Sequence, residues 1–132
     1  MKNLLIMVLA ALLLMACAHG KSEHFPTADN PAESAEVYVI RNNNLFGWGF
    51  SLAVLLDDKE VARLRSGEHV AFYVSPGSHD VNISKSNLQI LFAQGRKYYF
   101  LISADVSNFG FEIHRVDDSK GEQWVAKTKR LE

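Results

Sequence analysis

The sequence predicts a mainly β domain, an antiparallel β-sandwich of seven or eight strands with a short C-terminal helix. Three observations carry this. From Glu36 onward, apolar and polar residues alternate with a period of two in short runs. Turn residues such as Asp57-Asp58, Ser66-Gly67, Pro76-Gly77 and Gln94-Gly95 separate those runs at roughly eight to twelve residues each. No glycine-rich phosphate loop and no βαβ rhythm points to an α/β fold.

The elements follow in order. Val37, Val39 and Arg41 alternate with Tyr38 and Ile40 in a first strand. Leu52 to Leu56 is a compact apolar run, and Asp57-Asp58 turns it into Lys59 to Leu64 as a hairpin. After Ser66-Gly67, Val70, Phe72 and Val74 alternate with Ala71 and Tyr73. Pro76-Gly77 reads as a type II turn closing a hairpin into His79 to Ser84, where His79, Val81 and Ile83 share one face. Leu88, Ile90 and Phe92 form another strand, and Gln94-Gly95-Arg96 turns the chain into Lys97 to Ser103. Phe109, Phe111 and Ile113 then alternate with Gly110, Glu112 and His114. Asp118 or Ser119 caps a helix running through Arg130 and packing on one end of the sandwich through Trp124, with Gly121 weakening it.

Ahead of this domain lie two segments of different character. Residues 1–16 have the plan of an export signal: Lys2, an apolar run from Leu4 to Met15, then the small Ala16. Twelve apolar residues rise about 18 Å as a helix, short of the roughly 30 Å hydrocarbon core of a bilayer. Residues 17–34 read as a flexible tether, rich in polar residues, with Pro26 and Pro31 and only Phe25 as a large apolar side chain. The β domain occupies residues 35–132.

Leu14-Met15-Ala16-Cys17 resembles the lipobox of bacterial lipoproteins, and Cys17 is the chain's single cysteine. The competing reading is an ordinary secretory signal ending at Ala16, which leaves a lone thiol in an oxidising compartment. The resemblance implies cleavage before Cys17 and acyl chains on that residue, so that the membrane is a partner through those chains. Two or three chains make such attachment effectively permanent, whereas one holds only marginally. Ala18, where inner-membrane lipoproteins often carry aspartate, implies by the same resemblance the outer membrane, facing the periplasm.

A second resemblance lies within the domain. Tyr38-Val39-Ile40-Arg41, the hairpin Leu56 to Leu64, Ser66-Gly67, Ser75-Pro76-Gly77-Ser78-His79 and Gly95-Arg96-Lys97-Tyr98-Tyr99 occur in that order. Together they resemble a bacterial lipoprotein family carrying a domain of unknown function, with a PEGA-like β-sandwich module. The resemblance covers about Glu36 to Val116, and it brings no catalytic residues.

The residues themselves offer little chemistry. The full chain carries 14 Lys and Arg against 15 Asp and Glu, without a basic stripe, which argues against nucleic acid as a partner. No Gly-x-Ser-x-Gly elbow, His-Glu-x-x-His helix or Cys-x-x-Cys pair appears, and no cofactor is implied. His69 and His79, on either side of the expected Pro76-Gly77 hairpin, fall about five rungs apart at roughly 3.3 Å each, too far to share a metal ion. His79 is expected to cap the apolar face of Val81 and Ile83. Asp57-Asp58 and Asp117-Asp118 read as turn and cap residues rather than as paired acid and base.

One segment invites a binding role. Leu45-Phe46-Gly47-Trp48-Gly49-Phe50 follows three asparagines, and Phe46, Trp48 and Phe50 either form a docking patch or fold over the open end of the sandwich and complete its core. The second is the expectation. The leading functional expectation is a non-enzymatic envelope lipoprotein whose β domain engages an envelope protein or polymer. The alternative is a binder of a small ligand, lipid or glycan, with Tyr98-Tyr99-Phe100 joining the Phe46/Trp48/Phe50 loop around the site. A hydrolase, requiring Ser, His and carboxylate in one cleft, ranks third.

Overall fold

The computed structural model describes residues 30–132. The signal segment, Cys17 and the tether up to residue 29 lie outside the described residues. Asn30 caps a short 3₁₀ turn, Pro31–Glu33, its side chain accepting a hydrogen bond from the Ala32 N–H at 3.1 Å. Ser34 is already buried, and its carbonyl accepts from the Gly95 N–H.

Among the described residues nine strands form two sheets. They are β1 (Ala35–Arg41), β2 (Leu52–Leu56), β3 (Lys59–Leu64), β4 (Glu68–Val74), β5 (Gly77–Ile83), β6 (Ser86–Phe92), β7 (Lys97–Asp105), β8 (Gly110–Val116) and the two-residue β9 (Lys129–Arg130). One sheet has the order β8-β7-β1-β4-β9, the other β3-β2-β5-β6. The four-stranded sheet is antiparallel throughout. The five-stranded sheet is mixed, because β1 runs parallel to β7 and β9 parallel to β4.

Alternation explains the core. Val37 and Val39 of β1, Tyr98, Phe100 and Ile102 of β7, and Phe72 of β4 point between the sheets toward Val54, Val81, Ile83 and Phe92. Arg41 shares the face of Val37 and Val39, so its side chain also enters the sandwich. The opposite face of β1 and β7 carries Tyr38, Ile40, Tyr99 and Leu101, which form a second cluster with Val116, Trp124 and Val125. This cluster lies beneath helix α1 (Asp118–Lys127).

The helix therefore lies across the outer face of the five-stranded sheet, not on one end of the sandwich. Asp117 is its N-cap, accepting from the Lys120 N–H at 2.8 Å, one residue before the expected cap. It ends at Lys127 rather than Arg130. Thr128 donates its hydroxyl to the Trp124 carbonyl, and the chain then joins β4 as an edge strand through Lys129 N–H to Gly67 O and Leu131 N–H to His69 O. Gly121, expected to weaken the helix, is its closest point to the sheet: a Cβ there would overlap the Tyr99 ring.

The connection at Pro76-Gly77 also differs from the expected hairpin. β4 and β5 belong to different sheets, so these residues carry the chain across the sandwich, with Gly77 at φ +124° where L side chains are disfavoured. The Asp57-Asp58 turn does close a hairpin. Both residues have positive φ, 49° and 65°, as a type I′ turn requires.

Candidate functional site: an aromatic end of the sandwich

The segment between β1 and β2 is built on Arg41. Its side chain is 1% exposed and contacts no carboxylate at ion-pair distance among the described residues. It is satisfied by carbonyls: Nη1 donates to Phe50 O and Leu64 O, both at 2.8 Å, and Nη2 to Gly47 O at 2.7 Å. The guanidinium also lies 4.9 Å from the Phe111 ring centre and 5.6 Å from that of Phe50. Burial pulls its pKa below the ordinary arginine value, and Glu68 opposes that shift.

Around this cation the loop takes a defined course. Gly47 has φ +69°, and a Cβ there would lie 2.9 Å from the Phe50 ring and 3.2 Å from Arg41 Nη2. Tight turns are closed by Trp48 N–H to Leu45 O and Phe50 N–H to Gly47 O. Asn44 accepts from the Phe46 N–H through its side chain, while its own N–H and carbonyl both bond the Ser66 hydroxyl at 3.0 Å. The asparagines thus fasten the loop to the β3–β4 turn.

The two readings of the aromatics divide between residues. Phe46 is partly buried, 5.6 Å from Phe111, and Phe50 meets the same ring edge-on at 5.7 Å. Trp48, by contrast, is 70% exposed and Leu45 90%, so Trp48 does not complete the core. The turn joining β7 to β8 adds two more exposed apolar residues, Val106 and Phe109, the latter 84% exposed in a left-handed conformation. Because β7 runs parallel to β1 with Arg41 opposite Ile102, this turn lies at the same end as the 42–51 loop. Six large apolar side chains are exposed among the described residues. Leu45, Trp48, Phe50, Val106 and Phe109 gather at this end, and only Leu91 lies elsewhere, on β6. Chain entry at Ala35 is at the other end of β1, about 20 Å away at roughly 3.3 Å per residue.

On the flank of this end lies a cleft of about 600 Å³ between the loop and the β3–β4 turn. Trp48, Phe50 and Ser51 form one wall; Arg65, Ser66 and Glu68 form the other. Tyr98, Tyr99 and Phe100 do not join it. Consecutive strand residues face opposite ways, and both faces of β7 are covered, so Tyr98 and Phe100 lie between the sheets and Tyr99 under α1.

The described histidines, His69, His79 and His114, are dispersed. His69 is buried, with Nδ1 against the Thr128 hydroxyl at 2.8 Å; since that hydroxyl donates to Trp124 O, the ring nitrogen is the donor. Burial, then Arg130, holds its pKa below the usual histidine value. Among the described residues no three His, Cys, Asp or Glu side chains gather as a metal site.

His79 does more than cap an apolar face. Its Nδ1 lies 2.5 Å from Asp57 Oδ2, and its Nε2 lies 2.8 Å from the Ser75 carbonyl and 3.4 Å from the Ser75 hydroxyl. Ser, His and Asp thus converge, as a hydrolase requires, but the geometry serves a clamp. Nε2 lies nearer the Ser75 carbonyl, at 2.8 Å, than the Ser75 hydroxyl, at 3.4 Å, so the ring's shortest contacts link the two turns rather than pair with the hydroxyl. The three residues tie the crossing turn at Pro76 to the β2–β3 hairpin.

The clamp yields a pH prediction. Burial raises the Asp57 pKa, but hydrogen bonds from His79 and the Asp80 N–H outweigh it and hold the group below 3.8. A depressed carboxyl pKa contributes stability that is present above the unfolded value and lost as pH falls through the folded one. Wild type is therefore expected to exceed Asp57→Asn in stability at pH 6. The gap should close as pH falls through the folded Asp57 pKa, below the ordinary carboxyl value, as followed by urea titration across pH. Its size should stay under about 1 kcal/mol, since the Asp57 side chain is 49% exposed.

No protein-family model matches this chain, and no curated protein matches it. Among solved structures it is similar to the N-terminal domain of AlgF from P. aeruginosa, with a TM-score of 0.45 and 14% identity over 67% of this chain and all of that one.

Proposed function

We propose that this chain is a lipid-anchored envelope protein of the outer membrane, facing the periplasm, whose β domain is a non-catalytic interaction module. Cys17 carries the acyl chains, and residues 17–34 link them to the domain. The observation that supports the interaction role best is the gathering of Leu45, Trp48, Phe50, Val106 and Phe109 at one end. Isolated exposed apolar residues are ordinary, whereas five of the six exposed large apolar side chains on two loops at one end favour a contact role there. That end lies opposite the point where the chain enters the domain, so an anchored molecule presents it away from its own attachment.

The test has two arms, both on the full chain in cells. Metabolic labelling with an alkynyl fatty acid is expected to mark wild type and not Cys17→Ser; equal marking of both would remove the anchor from the proposal. A photo-crosslinking residue at position 48 is expected to trap a discrete envelope component that the same residue at position 91 does not trap. Identical trapping from both positions would overturn the assignment of the surface. Trp48→Ala is expected to change stability by no more than about 0.5 kcal/mol, as for exposed positions, while abolishing the trapped product of a crosslinker placed at position 45.

A further inference from the structure

We infer that the cleft between the 42–51 loop and the β3–β4 turn binds a glycan. The inference rests on the interaction module proposed above and names its ligand class. A sugar ring presents apolar C–H faces and a rim of hydroxyls that both donate and accept, so its site needs a flat aromatic surface beside charged or polar groups of both kinds. The cleft supplies these within about 600 Å³. Trp48 offers an indole 70% exposed, and beside it Gly49 leaves open space, with nothing within 4 Å of where a Cβ would stand.

The polar wall holds unused capacity. The Arg65 guanidinium and the Ser51 hydroxyl make no hydrogen bond to any described residue. Glu68, which lines the cleft, engages the Arg65 N–H through Oε2 at 2.8 Å, and its Oε1 makes no hydrogen bond to a described residue. Donor, acceptor and aromatic plane are thus present together.

These groups are also held in place. Arg41 fixes the carbonyls of Gly47 and Phe50 on either side of Trp48, and Ser66 fastens Asn44 to the opposite wall. A preformed cleft avoids the ordering cost that weakens binding by mobile loops. The alternatives fit less well. An acyl chain calls for continuous apolar walls, which Arg65 and Glu68 interrupt. A phosphate calls for cationic groups that Glu68 does not offset. An extended peptide is the remaining rival, and the test separates it.

The chain has two tryptophans, so Trp124→Phe in the full acylated protein, held in nanodiscs, leaves Trp48 as the sole indole reporter. Chitohexaose and cellohexaose are the glycan probes, and a six-residue Gly-Ser-Ala peptide is the rival. A saturable blue shift of Trp48 emission with either sugar, half-complete at about 1 mM or below, is expected, with no response to the peptide. Arg65→Ala, in the β3–β4 connection, and Glu68→Gln, at the first residue of β4, should each weaken the response at least about tenfold, and Leu91→Ala should not.

A saturable response to the peptide alone, no saturable response to either sugar up to about 10 mM, or responses unchanged by both wall substitutions would each overturn the inference. Crosslinking from position 48 to a protein, with no sugar response, would sink the glycan and leave the interaction module standing. Failure of both experiments would sink both.

Discussion

Arg41→Ala is expected to lower the stability of the domain by about 3–5 kcal/mol, from carbonyl acceptors that lose a donor and from the void left by the side chain. Three carbonyls, those of Gly47, Phe50 and Leu64, converge on this one guanidinium. Its removal takes a donor from each, although Gly47 O keeps the Phe50 N–H, and a buried acceptor left without any partner costs about 1–3 kcal/mol unless water reaches it. It also opens a void between Phe50 and Phe111 at the end of the core. For a domain near 100 residues the melting temperature should fall by roughly 12 °C or more. Arg41→Lys is the informative companion: an ammonium keeps the charge but lacks the planar fork that spans three acceptors, so most of the loss should persist. The damage should also be local. Proteolysis within residues 42–51 is expected to accelerate in Arg41→Lys under conditions where the rest of the domain stays folded. A stability change below about 1 kcal/mol in both variants would mean that the loop holds its course without the guanidinium.

Gly121→Ala should destabilise by about 1–3 kcal/mol, opposite in sign to what helix propensity dictates. Alanine in a helix interior is favoured over glycine by about 1 kcal/mol, so an unconstrained position would gain. Here the added Cβ would stand 2.5 Å from Tyr99 Cβ and Cδ1, against a buried ring on a central strand that has no room to retreat. The helix must lift instead, uncovering Tyr99, Leu101 and Ile40. A double-mutant cycle isolates the cause. In a Tyr99→Ala background the same Gly121→Ala change should become neutral or stabilising, read by urea denaturation. Loss of the near-ultraviolet signal from Tyr38 and Tyr99, stacked with ring centres 4.9 Å apart, would report the displacement directly. Additive behaviour of the two substitutions would assign the cost elsewhere.

How much was legible in the sequence follows from the range of each signal. Alternation is local, and it placed the strands well, including the inward face shared by Val37, Val39 and Arg41. What alternation lacks is partnership. Ser75-Pro76-Gly77 carries the same turn residues whether the next strand pairs with the last one or crosses to the opposite sheet, so a crossing looked like a hairpin. The parallel pairing of β1 with β7 was equally silent, since neither strand carries a mark for its neighbour. For the candidate site, the aromatics of the 42–51 loop stood out, but their exposure depends on Phe111 and Ser66, which are distant in sequence. The role of Arg41 as the loop's anchor had one available signal: a charged residue continuing an apolar face. The clamp of Asp57 on His79 had none, because the two residues sit on separate turns that only the assembled sheet brings together.

The parallel seam between β1 and β7 has a consequence for the order in which the molecule can form. β1 is central in its sheet, flanked by β4 and β7, yet Val37 meets Tyr98 across about sixty residues of intervening chain. The local hairpins β2–β3 and β5–β6 can close early, but the strand made first is finished late, when the segment reaching Asp105 is available. Nonlocal pairing of this kind slows folding, because loop-closure entropy is lost before the contacts reward it. A chain ending before β7 would leave one edge of β1 without its ladder partner, with the inward residues Tyr98, Phe100 and Ile102 missing beside it.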